Sequence, residues 1–362
     1  NESTVTASFN IDQKLDFVTP GLKLSGLASF KNWSRSQYLK SFDPYYYRIT
    51  DYYEIGDGKY GFDYDVQVPG IESLKAENSS SGDRYINLQG VIDYARKFGD
   101  HDVTGMLVYM QRDYRQTNAA QGDFLATLPN RNQGFAGRLT YGYDNRYLME
   151  FNFGYNGSEN FEEGDRFGFF PSIALGYVVS NEKFFEPLLS VVSHLKIRGS
   201  YGKVGNSDLP SGRFPYLTEV NLSGWGYAFG GGTTYESRSG AKITKYGMAG
   251  AHWEVATKLN LGADFGLFNA LNLSVDYFHE KRKDIFLRRK TIPDELGLGD
   301  VEKQAPWVNL GRVKNQGVDL TLDFNKQINR DLFISAKGTF TYAHNEIEEF
   351  DDPDYGWAYR YR

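Results

Sequence analysis

The chain has 362 residues and a net charge of −6 at pH 7. This acidity argues against nucleic acid as a partner, because phosphate binding needs clustered Lys and Arg. No run of about 18 apolar residues occurs, which excludes a transmembrane helix but not a transmembrane β-barrel, whose strands alternate apolar and polar positions. Aromatic residues make up 16%, and there are 39 glycines and no cysteine. This composition favours β structure with many turns and excludes disulfides and thiol nucleophiles.

Alternation of apolar and polar residues predicts strands from the start of the chain. The first residues already follow a strand pattern without an initiator methionine or a signal peptide, so the chain is expected to be a piece of something longer. Further strands are predicted over residues 22–31, 85–97, 103–114 and 135–144. Most of these segments are longer than the strands of about five or six residues that are usual in soluble proteins.

Residues 143–161, YDNRYLMEFNFGYNGSENF, contain an alternation with a strongly aromatic face. Such a face meets either a protein core or a lipid bilayer. One face of this segment carries Tyr147, Met149, Phe151, Phe153 and Tyr155. The other face carries Leu148, Glu150, Asn152, Gly154 and Asn156. The period of two predicts a strand that follows a tight turn at residues 144–145. We expect the aromatic face to meet lipid, with the terminal tyrosines in the interfacial girdle, and the polar face to meet a wet interior.

The second half of the chain continues the pattern. Predicted strands over residues 167–179, 195–204, 253–265, 271–281, 318–325 and 332–345 bring the total to about twelve. Charged residues such as Lys196 and Arg198 occupy polar positions of these strands. A charged face cannot be packed inside a sandwich, but it can line a wet lumen. Residues 181–196 break the pattern, and their apolar spacing predicts a short amphipathic helix that caps the turn side.

The connections between strands alternate in length along the chain. Short turns are predicted at residues 16–21, 99–102, 144–145, 266–270 and 327–330. Long loops are predicted at residues 33–84, 115–134, 205–252 and 283–312. Outer-membrane barrels show this sorting, with short turns in the periplasm and long loops outside the cell. A soluble sandwich has no reason to sort its loops in this way.

Several segments resemble, in the same order, the SusC/RagA family of TonB-dependent outer-membrane transporters. They are HDVTGMLVYMQRDY (101–114), LPNRNQGFAGRLTYGYDNRY (128–147), GDRFGFFPSIALGYVVSNEKFF (164–185), HLKIRGSYGKVGN (194–206), WEVATKLNLGADFGLFNALNLSVDYFHEKRKDIF (253–286), VNLGRVKNQGVDLTLDF (308–324) and GTFTYAHNEI (338–347). The resemblance implies an all-β fold, an antiparallel transmembrane β-barrel of 22 strands. Residues 1–362 are then expected to be about twelve strands from the middle of that single barrel domain. On the same resemblance, the plug, the TonB box and the closing strands are expected to lie outside this chain.

The same resemblance implies an outer-membrane nutrient importer, with neither enzymatic activity nor a cofactor, that takes up oligosaccharides or peptides with energy from TonB. Its implied partners are a SusD-like surface lipoprotein, the TonB complex acting through a plug outside this chain, and outer-membrane lipid. Two alternatives stay open. A passive porin would have no plug, and a soluble carbohydrate-binding β protein would be recovered without detergent.

No segment of the sequence carries a complete catalytic motif. HEKRK begins at His279 like a zinc motif, but Lys283 stands where the second histidine is required. Asp351, Asp352 and Asp354 could hold calcium through clustered carboxylates, although a solvated acidic loop is the simpler interpretation.

Aromatic residues in the long loops are the candidates for substrate binding. Trp225, Tyr227 and Tyr235 lie in one loop and Trp307 in another. Their rings could stack on sugars or hold a peptide by apolar contact. The alternative is that they brace the loops against each other or against the lipoprotein.

Overall fold

The computed structural model describes residues 1–117, 124–210, 212–231, 234–292, 305–352 and 356–357, apart from the side chains of Phe124, Ala126, Trp225 and Thr234. The strands are β1 (Glu2–Lys14), β2 (Leu22–Ser41), β3 (Tyr46–Gly56), β4 (Lys59–Val68), β5 (Lys75–Phe98), β6 (His101–Gln116), β7 (Asn130–Tyr143), β8 (Tyr147–Ser158), β9 (Phe167–Val178), β10 (Val192–Asn206), β11 (Glu219–Gly231), β12 (Thr234–Lys245), β13 (Glu254–Leu267), β14 (Leu271–Arg288), β15 (Trp307–Gln327) and β16 (Phe333–Glu349). The helices are α1 (Phe124–Thr127) and two 3-10 helices, Val179–Asn181 and Lys183–Leu188. No helix within the described ranges is long and apolar enough to cross a membrane.

Most strands belong to one sheet. It has 12 strands in the order β1-β2-β5-β6-β7-β8-β9-β10-β13-β14-β15-β16. The other four strands form two separate hairpins, β3 with β4 and β11 with β12. Because strands that are adjacent in the sheet follow each other along the chain once the hairpins are set aside, short connections suffice on one side. The all-β antiparallel architecture predicted from the sequence is therefore confirmed.

The chain divides into two compact units. Unit 1 comprises Asn1–Ser8, Ser29–Ile86 and Asp113–Pro129, and it contains the hairpin β3–β4. Unit 2 comprises Phe9–Ala28, Asn87–Arg112 and Asn130–Arg362, and it contains most of the sheet and the hairpin β11–β12.

The prediction of long loops over residues 33–84 and 205–252 was wrong, since each range contains a β-hairpin. The neighbouring strands also run further than their apolar stripes, with β2 continuing to Ser41 and β5 beginning at Lys75. Backbone pairing extends a strand beyond the residues that need to be covered, so a sequence pattern based on covered positions ends too early.

The connection between β9 and β10 contains the predicted short helix, in 3-10 form. Its hydrogen bonds run from Phe185 N to Glu182 O at 2.9 Å and from Leu189 N to Glu186 O at 3.2 Å. The helix Lys183–Leu188 also includes Pro187, which has no N–H to donate. Short pieces of this kind suit the 3-10 geometry.

Cross-strand register sorts the side chains of unit 2 onto two faces. One row of paired residues is apolar: Tyr141, Met149, Leu175, Gly199, Leu261, Tyr277, Val318 and Tyr342. The next row contains Gly142, Leu148, Gly176, Arg198, Gly262, Asp276, Asp319 and Thr341. Because successive residues of a strand point to opposite sides, the first row defines the apolar face of the sheet and the second row defines its polar face.

A buried hydrophobic cluster lies at the long-loop end of the strands. It consists of Phe161, Leu209, Met248, Ala251 and Phe286, with Trp253 and Trp307 packed against it. These residues follow β8 and β10, precede β13, end β14 and begin β15. We call this set the loop-side cluster. It packs the ends of these strands together on the long-loop side.

Candidate functional site

The polar face of the sheet carries a network centred on Arg198 of β10. Its Nη1 and Nη2 donate to the two carboxylate oxygens of Asp276 at 2.6 and 2.7 Å, and its Nε donates to Asp264 Oδ2 at 3.1 Å. Ser274 Oγ donates to Asp264 Oδ1 at 2.8 Å. The paired geometry with Asp276 is the bidentate form that makes an arginine–carboxylate contact strong and directional. The network joins three strands, β10, β13 and β14.

Gly262 makes this network possible. It lies between Arg198 and Asp276 in the cross-strand row. A Cβ at this position would meet Asp276 Oδ1 at 2.5 Å and Arg198 Cζ at 2.8 Å. The arginine therefore reaches across the middle strand only because that strand carries no side chain there.

A second polar group lies on β7 and β8. Arg138 Nη2 donates to Glu150 Oε2 at 2.7 Å, and Asn152 Nδ2 donates to Glu150 Oε1 at 2.8 Å. Between this group and Arg198 the small residues Gly142, Ala174 and Gly176 leave a concavity of about 390 Å³. Its walls offer charges of both signs and hydroxyl groups, so it can hydrogen-bond a polar solute or a polar protein surface.

The predicted lipid-facing residues share the apolar face. Tyr147, Met149 and Tyr155 are exposed, and Phe151 and Phe153 are half-buried. Tyr147 stacks on Tyr177 with ring centroids 5.1 Å apart, and Tyr155 stacks on Phe167 at the same distance. The aromatic stripe of β8 is thus a surface of the sheet, and its neighbours on β9 continue it.

The three candidate binding aromatics whose side chains the structure describes do not come together. Tyr227 and Tyr235 lie on the hairpin β11–β12 and are 72% and 68% exposed. Tyr227 pairs with Arg238, whereas Tyr235 pairs with Gly230, so the two rings project from opposite faces of the hairpin. Trp307 packs against the loop-side cluster, with the Arg288 guanidinium 5.0 Å from its ring centre. The side chain of Trp225 lies outside the described part of the structure.

Asp351 fixes residues 290–291, which follow β14. Its Oδ2 accepts hydrogen bonds from Lys290 N at 2.6 Å and Thr291 N at 3.3 Å, and its Oδ1 accepts one from Thr291 Oγ1 at 2.9 Å. Burial alone would raise the pKa of Asp351, but these hydrogen bonds outweigh it and lower the pKa. Asp354 lies outside the described residues. No group of three or more His, Asp or Glu in the described part could hold a metal ion.

Sequence reasoning missed two features, one in each unit. The arginine network needs three strands in register, and the only signal for it was charge at polar positions of alternating segments, as at Arg198. The hairpin β3–β4 was missed although β4 alternates regularly from Tyr60 to Val68; the alternation of β3 is interrupted by a register shift between Ile49 and Asp51. One of its faces carries Tyr47, Ile49, Tyr52, Phe62, Tyr64 and Val66, all exposed. The opposite face carries Arg48, Asp51, Asp63 and Asp65.

A family model described as TonB dependent receptor-like, beta-barrel, matches residues 4–360. The chain belongs to this TonB-dependent receptor family. The TonB-dependent receptor SusC of Bacteroides thetaiotaomicron is 28% identical over 98% of the chain and 34% of its own length. The TonB-dependent receptor P39 of Formosa agariphila is 27% identical over 93% of the chain and 31% of its own length. The chain therefore spans about a third of the length of these curated relatives.

Solved structures agree with the family assignment. The RagAB peptide importer in its closed-closed state is similar with a TM-score of 0.64 and 19% identity, over 96% of this chain and 37% of that one. The outer membrane transporter YddB of Escherichia coli is similar with a TM-score of 0.55 and 11% identity, over 96% of this chain and 42% of that one. At these identities the likeness shows the fold. The predicted SusC/RagA resemblance, the barrel-segment fold and the outer-membrane location are confirmed.

Proposed function

We propose that the protein is an outer-membrane nutrient importer of the SusC type, and that this chain supplies middle strands of its single barrel domain. The observation that carries the proposal is that one antiparallel sheet has an apolar face and a polar face that carries charged residues. In a bilayer the apolar face of such a sheet contacts lipid and its polar face contacts water. Similarity to SusC over nearly the whole chain supports the same conclusion.

In this proposal Tyr147, Met149, Phe151, Phe153 and Tyr155 face lipid. The Arg198 network and the Glu150 group face the wet interior. Interior charges at these positions are paired, so the wall is hydrophilic without a strong field of one sign. A wall of this kind lets polar solutes pass without holding them tightly.

Import takes its energy from the TonB complex through a plug outside this chain, and a SusD-like lipoprotein covers the outer side. SusC and P39 are both TonB-dependent receptors, which supports the energy source. The substrates are oligosaccharides or peptides, since exposed tyrosines such as Tyr227 and Tyr235 can stack on a sugar or contact an apolar side chain. The chain carries out no covalent chemistry.

Uptake by cells that produce the full-length protein tests the proposal. Fluorescent oligosaccharides and peptides of matched size are supplied with and without a protonophore, which removes the energy that TonB transmits. Uptake of either class that stops with the protonophore supports the proposal. Steady conductance of the purified protein in a planar bilayer would replace it with a passive porin, and recovery of folded protein without detergent would replace it with a soluble binding protein.

A further inference from the structure

Four large apolar side chains lie exposed on the short-turn side of the sheet. They are Phe184 and Leu188 of the second 3-10 helix, Val191 just before β10, and Phe268 in the turn between β13 and β14. Phe184 is 68% and Phe268 65% exposed. A hydrogen bond of 2.9 Å from Phe268 N to Val191 O joins the two connections. We call these four residues the turn-side patch.

The backbone at Phe268 makes the exposure unusual. Phe268 has φ 54° and Asn269 has φ 51°, both in the left-handed region. Tight hairpin turns with this conformation favour Asn, Asp or Gly, because a bulky side chain is disfavoured there. A polar residue would suit both the backbone and water better than phenylalanine does. The side chain is therefore best explained by an apolar neighbour that covers it in the working molecule.

Glu182 shows on which side of the sheet the patch begins. Its carboxylate, directly before the second 3-10 helix, accepts hydrogen bonds from Tyr147 Oη at 2.8 Å and Tyr177 Oη at 3.2 Å. Both tyrosines belong to the apolar face. Arg146 Nη1 donates to the other oxygen of Glu182 at 2.8 Å, and the buried Phe185 fixes the helix from beneath. The helix is thus pinned to the apolar side of the strand ends.

The apolar face continues directly from these tyrosines. A shallow groove of about 500 Å³ runs along it, lined by Tyr147, Met149, Leu175, Ile197 and Leu261. The groove exists because Gly199 of β10 carries no side chain. Its apolar lining suits a hydrocarbon chain. The turn-side patch and the groove therefore form one apolar surface that bends from the strands onto the connections.

We propose that the turn-side patch inserts into the periplasmic leaflet of the outer membrane and anchors this side of the barrel wall in the plane of the bilayer. The proposal rests on the lipid-facing role of the apolar face in the proposed function. A segment that exposes Phe and Leu partitions into the boundary between headgroups and acyl chains, and a lipid chain occupies the groove above it. Tyr147 and Tyr177 then mark the boundary level, as aromatic residues do at membrane interfaces.

Single-cysteine labelling tests this anchoring. The described chain has no cysteine, so in the full-length protein, with any cysteine elsewhere replaced, Phe184→Cys and Phe268→Cys each carry one environment-sensitive fluorophore. The protein is placed in vesicles of phosphatidylethanolamine and phosphatidylglycerol. Nitroxide-labelled lipid is expected to quench both labels about twofold or more, while aqueous iodide quenches them weakly. Leu188→Cys provides another position if a phenylalanine variant folds poorly.

Two further labels separate the outcomes. Glu186→Cys lies exposed on the same 3-10 helix, and it is expected to show the reverse preference, for iodide. Leu175→Cys reports on the apolar face itself. Quenching of positions 184 and 268 by iodide would overturn the anchor, and so would protection of both positions from both quenchers by a covering protein. In either case lipid would still quench the label at position 175. Loss of lipid quenching at position 175 as well would overturn the proposed function.

Discussion

Two regions at the long-loop end use aromatic residues in opposite ways. In the loop-side cluster Phe161 is fully buried, and its ring lies 5.4 Å from that of Trp253. In the hairpin β11–β12 the rings of Tyr227 and Phe229 are also 5.4 Å apart, but both side chains are exposed. Aromatic residues in long connections thus serve either as braces or as free contact surfaces, and only the residues packed around them decide which.

The largest expected effect is that of Phe161→Ala. The side chain is fully buried in the loop-side cluster, so its removal leaves a cavity and should lower the free energy of local opening by about 3 to 5 kcal/mol. Hydrogen exchange of the full-length protein measures that free energy. Phe229→Ala on the exposed hairpin is the matched control, and an equal loss in both variants would remove the distinction between the two regions.

Trp307→Ala should have a smaller effect of the same kind. The ring is only half-buried against the cluster and is covered by Arg288, so we expect a loss of about 2 kcal/mol. Trp307→Phe should restore most of it, because a smaller ring keeps the apolar contact. If substrate affinity fell in Trp307→Phe while stability stayed normal, the residue would belong with the free aromatics.

The hydrogen bonds from Lys290 and Thr291 to Asp351 should weaken in acid. The pKa of Asp351 is lowered in the folded state, so the carboxylate contributes stability that is fully present above its unfolded pKa of about 3.9 and is lost as the pH falls through the folded pKa. Amide protection at Lys290 and Thr291, corrected for intrinsic exchange, should therefore decline below about pH 4. Asp351→Asn should show weaker protection at neutral pH and no such decline.

The smallest expected effect on stability is that of Tyr227→Ala and Tyr235→Ala. Both side chains are exposed on opposite faces of the hairpin, so each change should alter the free energy of unfolding by less than about 0.5 kcal/mol. Substrate uptake should fall in one variant more than in the other, because one ligand cannot contact both faces. Equal and normal uptake in both variants would assign the hairpin to another role.

Alternation predicted the strands of the sheet because one of its faces is apolar and the other is polar. The stripe from Tyr147 to Tyr155 was readable in the sequence, since every second residue meets the same surroundings. Strand β4 alternates just as clearly, although β3 does not, but a search for short turns and long loops left both strands inside a loop of residues 33–84. There the alternation of residues indicated a strand, whereas the alternation of connection lengths predicted a loop. The structure has the strand.

The candidate site was less predictable than the fold. Arg198, Asp264 and Asp276 lie on three strands, and their contact depends on register across residues far apart in the chain. Trp307 and Tyr227 look alike in sequence, as aromatics within predicted long loops, but Trp307 packs on a cluster assembled from four separate segments. No local pattern encodes such an assembly.

The absence of a side chain at Gly262 determines how this position tolerates mutation. Every missense change of a glycine codon by one nucleotide adds a side chain, and any side chain at this position would meet the Arg198–Asp276 contact. In a saturation screen for function we expect position 262 to tolerate as little as position 198, although glycine itself makes no side-chain bond. A position that contributes no side-chain atom to the network would then be as constrained as the arginine at its centre.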